Sequence, residues 1–194
     1  MTLKLAGLVS AMALTAALGA CATAPESVPM TPLAPTTPAA PAFAYADDIH
    51  SNARPAEARV GHVALDLTAD FAAKTLSGSA TLDVTGRVGA TEVVLDTKHL
   101  DIRGVRDAQG RPLRHELGAA DAIKGQALTV HLPAFVGAEV QKVVIDYSTR
   151  PDAAALQWLS PQQTAGGQKP YLFSQGQAIL TRTWVPTQDS PGIR

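Results

Sequence analysis

The stretch Ala80-Thr-Leu-Asp-Val-Thr85 alternates apolar and polar side chains without a break. Successive side chains on a strand point to opposite faces, so Ala80, Leu82 and Val84 form one face and Thr81, Asp83 and Thr85 the other. Such alternation reads as a strand half buried against a core. The pattern recurs on either side. Val63, Leu65 and Leu67 alternate with Ala64 and Asp66, and Leu128, Val130 and Leu132 alternate with Thr129 and His131. Val143, Ile145 and Tyr147 alternate with Val144 and Asp146. Each run is short and bounded by Gly, Pro, Asp or charged residues, and Gly86-Arg-Val-Gly89 and Asp107-Ala-Gln-Gly110 have turn composition. No window of helical length sustains a period of 3.6 residues. Residues 59–194 are therefore expected to form an all-β fold, an antiparallel sandwich or curved sheet.

What precedes Arg59 has a different texture. Over residues 1–20, Lys4 is the only charge, and Leu5 to Ala20 is an unbroken run of apolar and small residues. That run is short for a spanning helix, which needs about 20 predominantly apolar residues, and it has the build of an export signal peptide. Its end, Leu18-Gly19-Ala20-Cys21, resembles the lipobox of bacterial lipoproteins, which implies that Cys21 becomes a lipidated N-terminus and the mature chain a membrane-anchored protein of the bacterial periplasm. Cys21 is the only cysteine, so it has no partner for an intramolecular disulfide. Residues 21–58 read as a linker: Pro25, Pro29, Pro32, Pro35, Pro38 and Pro41 recur among Ala and Thr with no apolar periodicity. Such a segment buries too little surface to offset the entropy of ordering it, and its prolines favour an extended, disordered spacer.

The balance of charge excludes some functions. A net charge of −1 with 17% charged residues leaves no basic footprint for nucleic acid. The five histidines (His50, His62, His99, His115 and His131) are scattered. His115-Glu116 opens like HExxH, in which two His one helical turn apart grip zinc and the Glu activates water. The fifth position is Ala119, and Gly118 weakens any helix, so the pair reads as exposed charge. There is no GxSxG elbow, no phosphate-cradling glycine loop and no CxxC. Asp66, Asp83 and Asp146 occupy the polar positions of their strands, which suits a solvated face.

One stretch is not ordinary sheet: Lys169 to Gly192, KPYLFSQGQAILTRTWVPTQDSPG. Tyr171, Leu172 and Phe173 are followed by two amides, Gln175 and Gln177, with Gly176 between them. A run of β-formers (Ile179, Leu180, Thr181, Thr183, Trp184 and Val185) carries Arg182 in its middle, and Pro186, Asp189 and Pro191 punctuate the exit. Two amides one residue apart on a strand would point the same way, and a bare Gly176 would let another backbone approach. The expectation is a rim of neutral hydrogen-bonding groups facing a ligand. Solvent-facing glutamines on a half-buried strand fit the same spacing.

PYLFSQGQAILTRTWVPTQDSP closely resembles a segment of leukotriene-A hydrolase and its bacterial aminopeptidase relatives in peptidase family M1, the zinc aminopeptidases that include aminopeptidase N. Ala155-Leu-Gln-Trp-Leu159 with Pro161 and Thr164, and Leu76-Ser-Gly-Ser-Ala-Thr-Leu82, resemble two further segments, so the resemblance runs from about Val60 to the end. It implies a saddle-shaped N-terminal β domain that caps a separate thermolysin-like catalytic domain. Gln175, Gly176, Gln177 and Ala178 would then lie on a loop reaching the active-site cleft, with Gln177 accepting from the α-amine at a peptide substrate's N-terminal end. Arg182 and Asp189 would be structural, paired with each other. GxMEN, HExxH, the distant third zinc ligand and the catalytic Tyr are absent from this sequence. By the resemblance, zinc and catalysis belong to a catalytic domain missing here, and this chain binds no cofactor and contributes a cleft wall to an enzyme that hydrolyses N-terminal residues from peptides. The alternative from another class is a lipid-anchored β-sandwich binding module without catalytic activity, for which signal, stalk and sandwich fit equally well.

Overall fold

The computed structural model describes residues 48–190 and residue 193; the export signal, Cys21 and the proline-rich stretch lie outside the described residues. The described part is nearly all antiparallel sheet, with no α-helix among its elements. Strands β1 (Ala58–Asp70), β2 (Thr75–Gly86), β7 (Gln141–Ser148) and β4 (Asp101–Asp107) form one sheet in the order β1-β2-β7-β4. Strands β3 (Glu92–Thr97), β6 (Gln126–His131) and β5 (His115–Leu117) form a second, in the order β3-β6-β5. A two-stranded ribbon, β8 (Leu156–Leu159) with β9 (Tyr171–Ser174), follows.

The alternation in the sequence decides which faces meet. Leu82 lies opposite Val143 and Ala80 opposite Ile145 in the first sheet, and Val93 lies opposite Val130 and Leu95 opposite Leu128 in the second. All eight side chains are buried in one cluster with Val84, Val105, Phe135 and Tyr147. Two inner faces joined in one apolar core make a sandwich. The outer face of the first sheet is polar, as expected of water-facing positions. Asp83 pairs with Lys142 at 2.5 Å, and Asp146 pairs with Arg106. Asp66 and Asp146, with Ser77, Ser79 and Arg103, line a shallow open groove on this face. At its floor Gly78 sits where a Cβ would come within 2.0 Å of the Asp66 carbonyl oxygen, so β1 and β2 close up only with glycine there.

Strand β3 departs from alternation, because Val93 to Thr97 are buried on both sides. Its second cover is the end of the chain. Thr187 forms an antiparallel bridge with Asp96. The buried Gln188 amide donates to the Ala58 carbonyl at 2.8 Å and accepts from the Val60 N–H at 3.0 Å, and also reaches the Val94 carbonyl. One side chain thus bridges β1 of the first sheet and β3 of the second.

The buried polar centre of this cover is Arg182, which has no exposed surface. Its Nε and backbone N–H both donate to Asp189 Oδ2 at 3.1 Å. Its terminal nitrogens donate to the carbonyls of His50, Lys124 and Asp189 at 2.8, 2.9 and 2.8 Å. Asp96, also without exposed surface, stands 3.8 Å from the guanidinium and accepts from Ser51 Oγ, the Asn52 N–H and side-chain amide, and the Asp189 N–H. Residues 48–58, which composition places in the linker, therefore belong to the folded body. The proline spacing ends at Pro41, and the polar groups of Ser51 and Asn52 are spent on a buried carboxylate that composition does not reveal.

Replacing one partner of such a pair leaves the other charge buried and uncompensated, which costs about 3–5 kcal/mol. Arg182→Met should lower the urea unfolding free energy of the full chain by about that amount, read from the fluorescence of Trp158 and Trp184. A loss below about 1 kcal/mol, the worth of an exposed pair, would show that Arg182 is dispensable.

Candidate functional site

The amide-bearing stretch does not continue as a strand. β9 ends at Ser174, and Gln175 and Gly176 lead into a turn over residues 177–180 and a short 3-10 helix at Thr181–Thr183. The β-formers from Ile179 to Val185 are not paired as sheet because Arg182 and Thr183 must be buried, where carbonyls, Asp189 and the Ala155 N–H await them. Gln175 and Gln177 thus sit on a loop and not on one strand face. The loop form agrees with the family resemblance, and the strand expectation is corrected.

Two backbone bonds fix the loop at its ends. The Gln175 N–H donates to the Ala155 carbonyl at 2.8 Å, and the Leu180 N–H donates to the Gly176 carbonyl at 2.8 Å. Inside it, the Gln175 side-chain oxygen accepts from the Gln177 N–H at 3.1 Å. The two amides therefore have different tasks. Gln175 has its oxygen engaged in shaping the loop, whereas the Gln177 side chain is exposed and makes no hydrogen bond to the described residues. The Gln177–Ala178 peptide is cis. Gly176 is required by close approach, though of a side chain and not of a backbone: a Cβ there would lie 2.4 Å from Thr181 Oγ1.

The segment behind the loop is pinned from three sides. The Tyr147 hydroxyl donates to the Trp184 carbonyl at 2.9 Å, and burial pushes this phenol's pKa up. The Lys98 N–H donates to the Arg182 carbonyl at 2.8 Å. Thr183 Oγ1 accepts from the Ala155 N–H at 3.1 Å and donates to the Leu180 carbonyl at 2.7 Å. Tyr147, Asp96 and Thr183 were not identified as site supports by sequence. The one legible sign was a charge set in an apolar run, Asp96 after Val93-Val-Leu95 and Arg182 among β-formers.

The ribbon leading to the loop is apolar on both faces. Trp158 and Leu172 pack inward with Leu76, Leu67, Leu156 and Trp184, and Phe71 meets Trp158 edge-on at 5.2 Å. On the other face Leu159 lies opposite Tyr171 and Gln157 opposite Phe173, with Tyr171 57% and Phe173 45% exposed. A hollow of about 680 Å³ bordered by Leu159, Pro170 and Tyr171 opens at the far end of this ribbon, away from Gln175.

No three His, Cys, Asp or Glu converge as metal ligands among the described residues. His131 has two carboxylates beside it, Glu116 and, 3.9 Å from Nδ1, Glu92. His131 Nε2 lies 2.9 Å from Glu116 Oε1, and Arg114 approaches Nδ1 at 3.2 Å. The hydrogen bond from His131 holds the Glu116 carboxyl below its ordinary pKa. A guanidinium beside the ring nitrogen does not suit a cation ligand, and His115-Glu116 lies on the exposed edge strand β5. The described residues do not fit a zinc site.

Residues 57–194 match the Peptidase M1 N-terminal domain, and the chain belongs to that family. It is 42% identical over 128 residues to leucine aminopeptidase 2 of Yarrowia lipolytica, covering 66% of this chain and 20% of that protein. It is 37% identical over 150 residues to leukotriene A-4 hydrolase of Xenopus laevis, covering 76% and 24% respectively. The solved structure of yeast LTA4 hydrolase in complex with bestatin superposes with a TM-score of 0.69 at 28% identity, over 79% of this chain and 24% of that one. An M1 zinc metallopeptidase from Deinococcus radiodurans shares the fold, with a TM-score of 0.52 at 23% identity over 71% of this chain and 30% of that one. The chain spans about a fifth to a quarter of the length of the curated relatives.

Gly176→Ala should lower the melting temperature, because Thr181 is stiff at χ1 and its hydroxyl must yield, at a cost of about 1–3 kcal/mol. Adding Thr181→Ala should restore most of it, since the next atom, Thr181 Cβ, stands at an ordinary 3.6 Å. Calorimetry of the two variants checks this, and an equally unstable double variant would refute the contact.

Proposed function

We propose that this chain is the N-terminal, non-catalytic domain of an M1 zinc aminopeptidase that removes N-terminal residues from peptides, and that the loop Gln175–Ala178 forms part of its substrate cleft. The carrying observation is the contrast between the two amides: Gln175 is engaged in shaping the loop, while Gln177 presents an exposed side chain without a partner among the described residues. With its backbone held by a loop bonded at both ends, the Gln177 carbonyl oxygen has only its own side chain to order when it accepts from a substrate's α-ammonium, and a hydrogen bond to a charged group is worth about 1.5–3 kcal/mol. Gly176 and Ala178 would offer backbone groups on either side. Zinc, when bound, supplies a polarised water and carbonyl, and in this reading its ligands lie in a catalytic domain outside this chain. The apolar outer face of the neighbouring ribbon supports a site completed by a second domain. The similarity to leucine aminopeptidase 2 and leukotriene A-4 hydrolase supports peptide N-termini as the substrate class.

In the complete enzyme, Gln177→Ala should raise KM for leucine para-nitroanilide by about tenfold or more and leave the melting temperature nearly unchanged, as the exposed side chain bonds to none of the described residues. Wild-type kinetics in that variant would remove Gln177 from the site.

We propose further that the protein is exported to the bacterial periplasm and anchored through Cys21, on the strength of the lipobox-like Leu18-Gly19-Ala20-Cys21. Cys21→Ala should abolish incorporation of labelled palmitate and shift the protein from the membrane to the soluble fraction. Unaltered labelling in the variant would refute anchoring at this residue.

A further inference from the structure

The two bonds that fix the ends of the candidate loop meet in one side chain. Gln175 N–H donates to the Ala155 carbonyl at 2.8 Å, and Ala155 in turn donates its own N–H to Thr183 Oγ1 at 3.1 Å. At the other end, Leu180 N–H donates to the Gly176 carbonyl at 2.8 Å, and the Leu180 carbonyl accepts from Thr183 Oγ1 at 2.7 Å. The hydroxyl therefore closes a ring of hydrogen bonds that runs from one end of the loop to the other. A hydroxyl both donates and accepts, and both capacities are used here. Thr183 is itself buried, with 4% of its surface exposed, so both bonds are made away from bulk water. Behind it Arg182 and the Trp184 carbonyl are fixed by Asp189 and Tyr147, which gives the hydroxyl a rigid mount.

We infer that Thr183 is a positioning residue for Gln177: its hydroxyl sets the geometry of the loop Gln175–Ala178 and through it the affinity for the substrate's N-terminal end. The inference rests on the proposed role of that loop. Thr183 touches no substrate. It acts on binding by keeping Gln177 pre-organised, so that little of the interaction is lost to ordering the loop at the moment of binding. A group that binds substrate and transition state alike changes KM more than kcat.

The test uses the complete enzyme with leucine para-nitroanilide. Thr183→Val keeps the shape and removes the hydroxyl, and should raise KM about three- to tenfold with kcat changed by less than about twofold. Thr183→Ser keeps the hydroxyl and should restore KM. In a Gln177→Ala background Thr183→Val should add little to KM, because residues that act as one unit are not additive. A merely structural threonine would give additive effects, and additivity or a wild-type KM in Thr183→Val overturns the inference. Amide hydrogen exchange at Gln175 and Leu180 gives a readout apart from turnover, and should be accelerated in the valine variant and normal in the serine variant. If Gln177→Ala leaves KM unchanged, the reading of the site falls. The exchange data still decide whether Thr183 holds the loop, and unchanged exchange in the valine variant overturns that on its own.

Discussion

The fold depends on a buried guanidinium. Arg182 lies without exposed surface between two carboxylates, Asp96 and Asp189, and three carbonyls from separate parts of the chain accept from it. Taking such a charge out of water is costly unless every donor finds a partner. The partners come from residue 50, from β3, from the loop before β6 and from the chain's far end, and the cost enforces their meeting. An apolar side chain in that place would fill space equally well without saying which segments belong beside it. The buried charge therefore ties these segments to one arrangement.

The candidate site follows from that constraint. With Arg182 fixed, the neighbouring Thr183 hydroxyl and Trp184 carbonyl are fixed as well, and the loop preceding them is bonded at both ends. A surface loop with an exposed amide is ordinarily mobile, and mobility would cost affinity on binding. Here the rigidity is carried in from the core through two consecutive residues. Strands alone would not supply it, because the ribbon β8–β9 has two strands, and such ribbons are marginal without a packed face. Trp158 and Leu172 give it one.

The fold class was legible because its signal is local. Leu82 and Val84 lie on the core face and Asp83 on the water face, as the alternation of Ala80–Thr85 requires. The turn at Asp107–Gly110 was legible for the same reason: the Gly110 N–H returns to the Asp107 carbonyl. Gln175–Ala178 was singled out by its odd texture and by family resemblance, and the structure places all four on one ordered loop. The strand reading of Ile179–Val185 failed because β propensity describes a side chain on a pleated surface, and these residues are bonded to other parts of the chain instead. The linker boundary failed likewise at Ser51 and Asn52, whose polar composition is that of a spacer until Asp96 is seen to accept from them.

On β1 the alternation misleads, because Leu65 is 40% exposed. By itself, then, the sequence determined the period of the strands, the faces that β2, β6 and β7 bury and the family to which residues 57–194 belong. These are carried by spacing along the chain, which a strand reads out directly. Only the tertiary structure decided that β3 is buried on both sides, that Gln188 spans two sheets, and that the Gln175 side chain is engaged while that of Gln177 makes no hydrogen bond to the described residues. The reason is distance in sequence. Asp96 and Arg182 are separated by most of the domain, and a bond between them leaves no periodic trace in either neighbourhood. Partners for buried polar groups are assigned by the closed fold, where each donor must find an acceptor away from water.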